Sequence, residues 1–240
     1  KQPDWAQPFF RYHKGLVSDI AGRRQDARTS FERIYKADPR TLRYPLAFAR
    51  HAANRGDTKL AQSVLQGHIE RLQGESHPMA RALREQVDGG ARTPLLITQP
   101  SEGLAEVFYS LGEALSSESG VGAVYLQLAL YMQPDFPFAL ATLAHVHEGT
   151  KRYDAAIAAY DKIPKGSPLE TSVEIRKALN LNQLERVEEA KTLLETIAKR
   201  EPQDVKALDA LGSIMRGHKR YADAVEYYNR AIAILGKPQP

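Results

Sequence analysis

Residues 137–170 read PFALATLAHVHEGTKRYDAAIAAYDKIPKGSPLE, and two segments of equal length follow without a gap, 171–204 and 205–238. In the first, Leu140, Leu143, Ala144, Tyr153, Ala156, Tyr160 and Pro168 fall at offsets 4, 7, 8, 17, 20, 24 and 32. In the third, Leu208, Leu211, Gly212, Tyr221, Ala224 and Tyr228 repeat the first six of these offsets, and Ala231 adds offset 27. The middle copy keeps Ala178, Leu181, Ala190, Leu194 and Pro202 in register. Self-similarity at a fixed period of this size means a stack of small units, each burying its apolar face on the next.

The spacing within one copy predicts two antiparallel helices. Small residues at offsets 8 and 20 (Ala144 with Ala156, Gly212 with Ala224) let the helices approach closely. Larger residues at offsets 4, 7, 11 and 24 fill the space around that contact at helical spacing. The polar turns Gly149-Thr-Lys-Arg152 and Gly217-His-Lys-Arg220 separate the helices. Pro168 and Pro202 stand where the second helix is expected to stop, because proline lacks the donor a helix interior needs.

The template extends toward the N-terminus with more drift. Phe108, Leu111, Gly112 and Leu115 match a first helix, and Leu126, Ala129 and Pro134 its partner, across a loop around Ser116–Val121 about two residues shorter. Gly15, Gly22, Ala27, Phe31 and Pro39 mark a copy over 8–41, and Phe48, Ala49, Gly56, Ala61 and Leu65 another over 42–75. After Ser76-His-Pro78 comes a further helical stretch, Met79–Val87, then Asp88-Gly-Gly90. Residues 91–101, ARTPLLITQPS, carry two prolines and no helical period, and read as an extended connector. The predicted organisation is two repeats and an extra helix over 1–88, a connector over 89–101, and four repeats over 102–240. The connector is expected either to pack across the stack or to act as a hinge.

These residues resemble the tetratricopeptide repeat (TPR), a helix–turn–helix unit of 34 residues. The resemblance implies an all-α solenoid, a right-handed superhelix of about six antiparallel helix pairs. The runs Glu102-Gly-Leu-Ala-Glu-Val-Phe-Tyr-Ser-Leu-Gly112 and Tyr125-Leu-Gln-Leu-Ala-Leu-Tyr-Met-Gln-Pro-Asp135 are similar to long exported TPR proteins of alphaproteobacteria. Ala155–Pro168 is similar to the same group. That resemblance implies a periplasmic or cell-envelope location and a place toward the C-terminal part of a longer precursor; a cytoplasmic location is the alternative. The group brings no defined activity with it.

Composition agrees with a folded chain. Of 240 residues, 42% are hydrophobic and 26% charged, enough apolar material for a core. No stretch approaches the ~18 apolar residues of a membrane-spanning helix. The chain has no cysteine, which excludes disulfides, thiolate metal sites and a cysteine nucleophile. It starts at Lys1 with no signal-peptide pattern, as expected of a mature or trimmed chain. Residues 1–100 hold 17 basic and 10 acidic side chains, and 101–240 hold 16 and 19. This split is a weak pointer to an anionic partner.

In a solenoid the first helices of successive repeats line a concave binding surface. By analogy with the family, offsets 2, 5, 9 and 12 point there. They give Tyr109, Glu113, Ala141, His145, Glu148, Ile175, Leu179, Asn182, Asp209 and Arg216 as candidate partner-binding residues. Their mixture of aromatic, aliphatic and charged groups suits a protein or peptide partner. Some TPR domains clamp a C-terminal carboxylate with Lys, Asn and Arg on these helices. Ile175 and Leu179 occupy positions where such a clamp needs polar donors, so that mode is not expected.

No catalytic constellation or cofactor motif is present: there is no phosphate-cradling glycine loop and no nucleophile elbow. Glu188, Glu189 and Asp223 lie at helix starts, where carboxylates favour the positive end of the helix dipole. His145 and His147 lie about 200° apart around a helix and cannot share a metal, and His147 sits at a core-type offset. The basic face Arg23, Arg24, Arg28, Arg33, Lys36, Arg40 and Arg43 has few interleaved aromatics (Phe31, Tyr35, Tyr44), all at core-like positions, so no nucleic acid is expected. Tyr227, Tyr228 and Ile232–Leu235 end the last repeat without a polar cap, which is expected either of a chain cut there or, as the alternative, of self-association through that face. The expected function is a non-enzymatic interaction scaffold. The alternatives are a regulatory or substrate-presenting segment of a larger enzyme, or a self-assembling envelope scaffold.

Overall fold

In the computed structural model, residues 6–38, 40–72, 77–90, 92–116 and 120–236 are described. Pro39, Ser76, Ala91, the loop tip 117–119 and Pro238 lie outside them. The described residues form thirteen helices and no strand, divided into two compact units, Lys1–Pro134 and Asp135–Pro240.

Unit 1 contains α1 (Ala6–Ile20), α2 (Arg24–Ala37), α3 (Arg43–Asn54), α4 (Thr58–Arg71), α5 (Pro78–Asp88), α6 (Pro100–Ala114) and α7 (Val121–Met132). Helices α1/α2, α3/α4 and α6/α7 pack as hairpins, and α5 packs alone against α4 and α3. Helix starts follow local chemistry. Asp57 caps α4 by accepting from the Leu60 N–H at 3.2 Å. Pro78 and Pro100 open α5 and α6 at positions where no donor is needed. Glu102 folds back to accept from the N–H groups of Thr98 and Gln99, at 2.6 and 3.2 Å.

Unit 2 contains the pairs α8 (Pro137–Gly149) with α9 (Tyr153–Tyr160), α10 (Glu170–Gln183) with α11 (Val187–Arg200), and α12 (Lys206–Gly217) with α13 (Tyr221–Leu235). Its core runs through Ala178, Ala190, Leu194, Ile197, Leu208, Leu211, Ile214 and Met215, all at most 3% exposed. The expected stop at Pro202 agrees with α11 ending at Arg200. Pro168 does not end α9. That helix stops at Tyr160, and a turn runs through Pro164 and Gly166, whose φ is +77°.

Two features of the period take physical form. At offset 8, a Cβ on Gly15, Gly112 or Gly212 would lie 2.6, 2.7 or 2.5 Å from Phe31, Leu126 or Tyr228. In these three pairs the close approach is made by the large residue of the second helix filling the glycine's missing side chain. At offset 15, the turn between paired helices is left-handed in five pairs: Gly22, Gly56, Lys151, Glu185 and Lys219 have φ between +58° and +81°.

Residues 92–99 carry no helix. Asn54 Nδ2 donates to the Thr93 carbonyl at 2.9 Å and Arg50 Nη1 to that of Pro94 at 3.4 Å. Thr93 and Ile97 are 1% and 3% exposed. The connector lies along α3 within unit 1.

Candidate functional site: the first-helix grooves

In unit 2 the first helices α10 and α12 lie side by side and share an open depression of about 620 Å³. Ser172, Ile175 and Leu179 line it from α10, and Lys206, Asp209 and Ser213 from α12, with Val205 and Ala210 adding apolar surface. These six positions are offsets 2, 5 and 9 of two consecutive repeats, so the period projects one face of each helix into one groove. Ile175 and Leu179 form a half-buried aliphatic floor, Asp209 is exposed on the opposite wall, and Arg216 is exposed one turn past the depression. A groove with an apolar floor and polar walls suits an extended or helical peptide better than a small polar metabolite.

Glu148 plays a different part from the one its offset implies. Its side chain is only 11% exposed. One carboxylate oxygen accepts from Tyr160 Oη at 3.2 Å and Asn180 Nδ2 at 2.7 Å, and the other pairs with Arg176 and lies 3.4 Å from His145 Nδ1. Burial pushes the Tyr160 hydroxyl up to about 12, so it stays protonated and donates. Glu148 thus ties α8 and α9 to α10. Asn182 is likewise used between repeats, its Oδ1 accepting from His218 Nε2 at 2.8 Å. Further along, Arg220 pairs with Glu188, and Tyr227 donates to Glu195 at 2.6 Å. Ala141 is half-buried and His145 exposed, both on α8.

In unit 1 the equivalent face is covered. Tyr109 is 3% exposed: its hydroxyl donates to Glu113 at 3.1 Å and the Arg43 guanidinium lies 5.9 Å from its ring centre. Neighbouring Glu106, at offset 2 of the same repeat, forms a buried ion pair with Arg43 and accepts from Tyr12 Oη at 3.1 Å. Tyr12 and Arg43 are themselves at offsets 5 and 2 of the first two repeats. The groove face of α6 is therefore pressed onto the groove faces of α1 and α3. This corrects the sequence reading of Tyr109 as an exposed contact: the helix turns the expected face inward, but the chain itself fills the space. Glu113, one turn further, is exposed.

A family model described as the Psidin N-terminal TPR repeats region matches residues 148–238, the stretch that carries this groove. The tandem hairpins, the offset-8 approach and that match agree. Residues 148–238 are similar to a TPR region. No curated protein matches its sequence significantly. Among solved structures, it is similar to MamA 41-end from Desulfovibrio magneticus RS-1 (13% identity, 80% of this chain and 93% of that one, TM-score 0.49). MamA AMB-1 gives 18% identity over 80% and 96% of the two chains, with a TM-score of 0.44. The Cut9–Hcn1 hetero-tetramer of the APC/C gives 17% identity over 94% and 39%, with a TM-score of 0.46. Likenesses of this size do not bear on what the chain binds.

Ser172, Lys206 and Ser213 line the groove and are missing from the sequence-derived set, although the same offsets reach them. The signal was present in the period. Among the described residues no three His, Asp or Glu side chains gather as a metal site, and no helix is long and apolar enough to cross a membrane. His147 is half-buried rather than fully in the core, and burial lowers its pKa. Of the basic face, Arg43 is turned inward to Glu106, Arg28 pairs with Asp57 and Lys36 with Glu32, while Phe31 is fully buried.

Proposed function

We propose that the chain is a non-enzymatic interaction scaffold that takes a peptide segment of a partner protein in the groove between α10 and α12. The observation that supports this reading is the convergence of two repeats' groove offsets on one open depression with an aliphatic floor of Ile175 and Leu179. The TPR architecture belongs to proteins that bind other proteins, and buried apolar anchors carry most of such binding. Polar walls at Lys206, Asp209 and Ser213 would fix the register of the bound segment. Peptides selected for binding to the intact chain should lose about tenfold or more in affinity on Leu179→Asp while the variant stays folded. Equal affinity for both proteins would remove the groove from the account. A periplasmic or cell-envelope location is part of this proposal and rests on the resemblance of residues 102–168; fractionation of cells expressing the native protein tests it.

Self-association is a second reading, supported by one face of α13. Tyr221, Val225, Ile232 and Leu235 are 60%, 57%, 53% and 71% exposed on that helix. Light scattering across concentration separates a monomer from an assembling chain.

A further inference from the structure

We propose that the concave face of α1 and α3 is a second peptide groove, held shut by the chain's own residues 92–99 and the first turns of α6, and that a segment of a partner carrying a carboxylate displaces them. This is a different groove from the one between α10 and α12, and shares with that reading only the premise that first-helix faces bind peptide.

The inference rests on how residues 92–106 are held. They run antiparallel to α3. Asn54, near its C-terminal end, holds the Thr93 carbonyl, Arg50 one turn back holds that of Pro94, and Arg43 at its start pairs with Glu106. Arg43 and Arg50 stand at offsets 2 and 9, and Tyr12, the other donor to Glu106, at offset 5. The segment is thus gripped at groove positions, through main-chain carbonyls and one carboxylate. Ile97 is buried too, packed against Gly103 of the same stretch, and braces the extended part on α6.

Two further features favour exchange over a fixed core. The segment 92–99 is extended, and its exposed residues Arg92, Pro94, Thr98 and Gln99 leave one side in solvent. A depression of about 450 Å³ remains beside it, lined by Ile20, Asn54, Arg92, Pro94, Leu95, Ile97 and Thr98, so a competing chain has a place to enter. Charge favours an acidic competitor: Arg43 and Arg50 on this face of α3 are held by the Glu106 carboxylate and the Pro94 carbonyl, whereas Arg55 at its end already pairs with Asp19. A tethered segment competes at an effective concentration of about millimolar, which keeps the groove shut against weak ligands.

The test uses the intact chain and a fluorescein-labelled peptide of residues 92–106, RTPLLITQPSEGLAE, read by fluorescence polarisation. Wild-type protein is expected to bind it weakly, because the groove is filled in cis. Glu106→Gln and Ile97→Ser each loosen the resident segment without touching the groove wall, and are expected to bind the peptide about tenfold or more tightly than wild type. A peptide carrying both substitutions is expected to lose that gain. Folded variants that bind no better than wild type overturn the proposal. So does loss of helix content in both variants by circular dichroism, which would make the segment a fixed part of the core. Binding that is abolished by Leu179→Asp would place the peptide in the unit 2 groove, overturning this proposal and leaving the scaffold reading intact.

Discussion

Gly212 has no room for a side chain: the carbon it lacks would stand 2.5 Å from Tyr228 Cε1. Tyr228 is held in turn by its hydroxyl, 3.2 Å from Ser213 Oγ. Gly212→Ala should therefore cost about 1–3 kcal/mol of overpacking, read as a lower urea midpoint with an unchanged m-value. The groove-wall residue Ser213 follows Gly212 directly, so the variant also shifts the wall against which a peptide would rest. The offset-8 glycine was legible in the sequence because its residue type is rare in helices. The left-handed turn at offset 15 was legible only in part: Gly22 and Gly56 announce it, whereas Lys151, Glu185 and Lys219 adopt the same φ without the residue that signals it. A side chain there bears a steric cost of about 1 kcal/mol that the rest of the turn offsets. His13 is a residue-scale feature that only burial reveals. Its burial, with Arg43 nearby, lowers its pKa from 6.5 to about 4. The folded state then holds fewer protons than the unfolded one between those values, so stability is full above pH ~6.5 and falls as the pH drops toward 4. A loss of about 3 kcal/mol is expected across that window, and His13→Gln should flatten the slope of a thermal-melt series.

At the scale of elements, the connector separates what sequence can show from what it cannot. Two prolines and the missing helical period mark residues 91–101 as extended, and the described part, 92–99, is. Its docking was invisible, because Asn54 with Thr93 and Arg43 with Glu106 join residues 39 and 63 positions apart. No local period encodes such pairs. Their consequence is that Tyr109 is buried although its offset is a groove offset. Brief digestion with a broad-specificity protease should leave 92–99 intact, since Thr93 and Ile97 are buried and two carbonyls are hydrogen-bonded. A first cut inside 92–99 would show instead that the segment moves as a hinge. Helix α9 makes the same point in reverse: at eight residues it ends before the template does, because Pro164 and Gly166 end the pattern earlier than Pro168.

For the molecule as a whole, the 34-residue period carried both the fold and the place to look for a site. Helix pairs stack because each first helix buries Ala or Gly at offset 8 and leaves offsets 2, 5 and 9 for another surface. In unit 2 those offsets remain open as the groove of Ile175, Leu179 and Asp209, while Glu148 and Asn182 are drawn into bonds between repeats. The latter was hidden because a polar residue at offset 12 reads alike whether it meets a ligand or the next repeat. The central claim is that partners enter between α10 and α12. Site-specific photocrosslinking tests it most directly, with a benzophenone amino acid placed at position 179 or, as control, at exposed Thr196 on α11. The account predicts that a peptide selected on the wild-type chain crosslinks at 179 and not at 196. Crosslinking at 196 with none at 179 would contradict it.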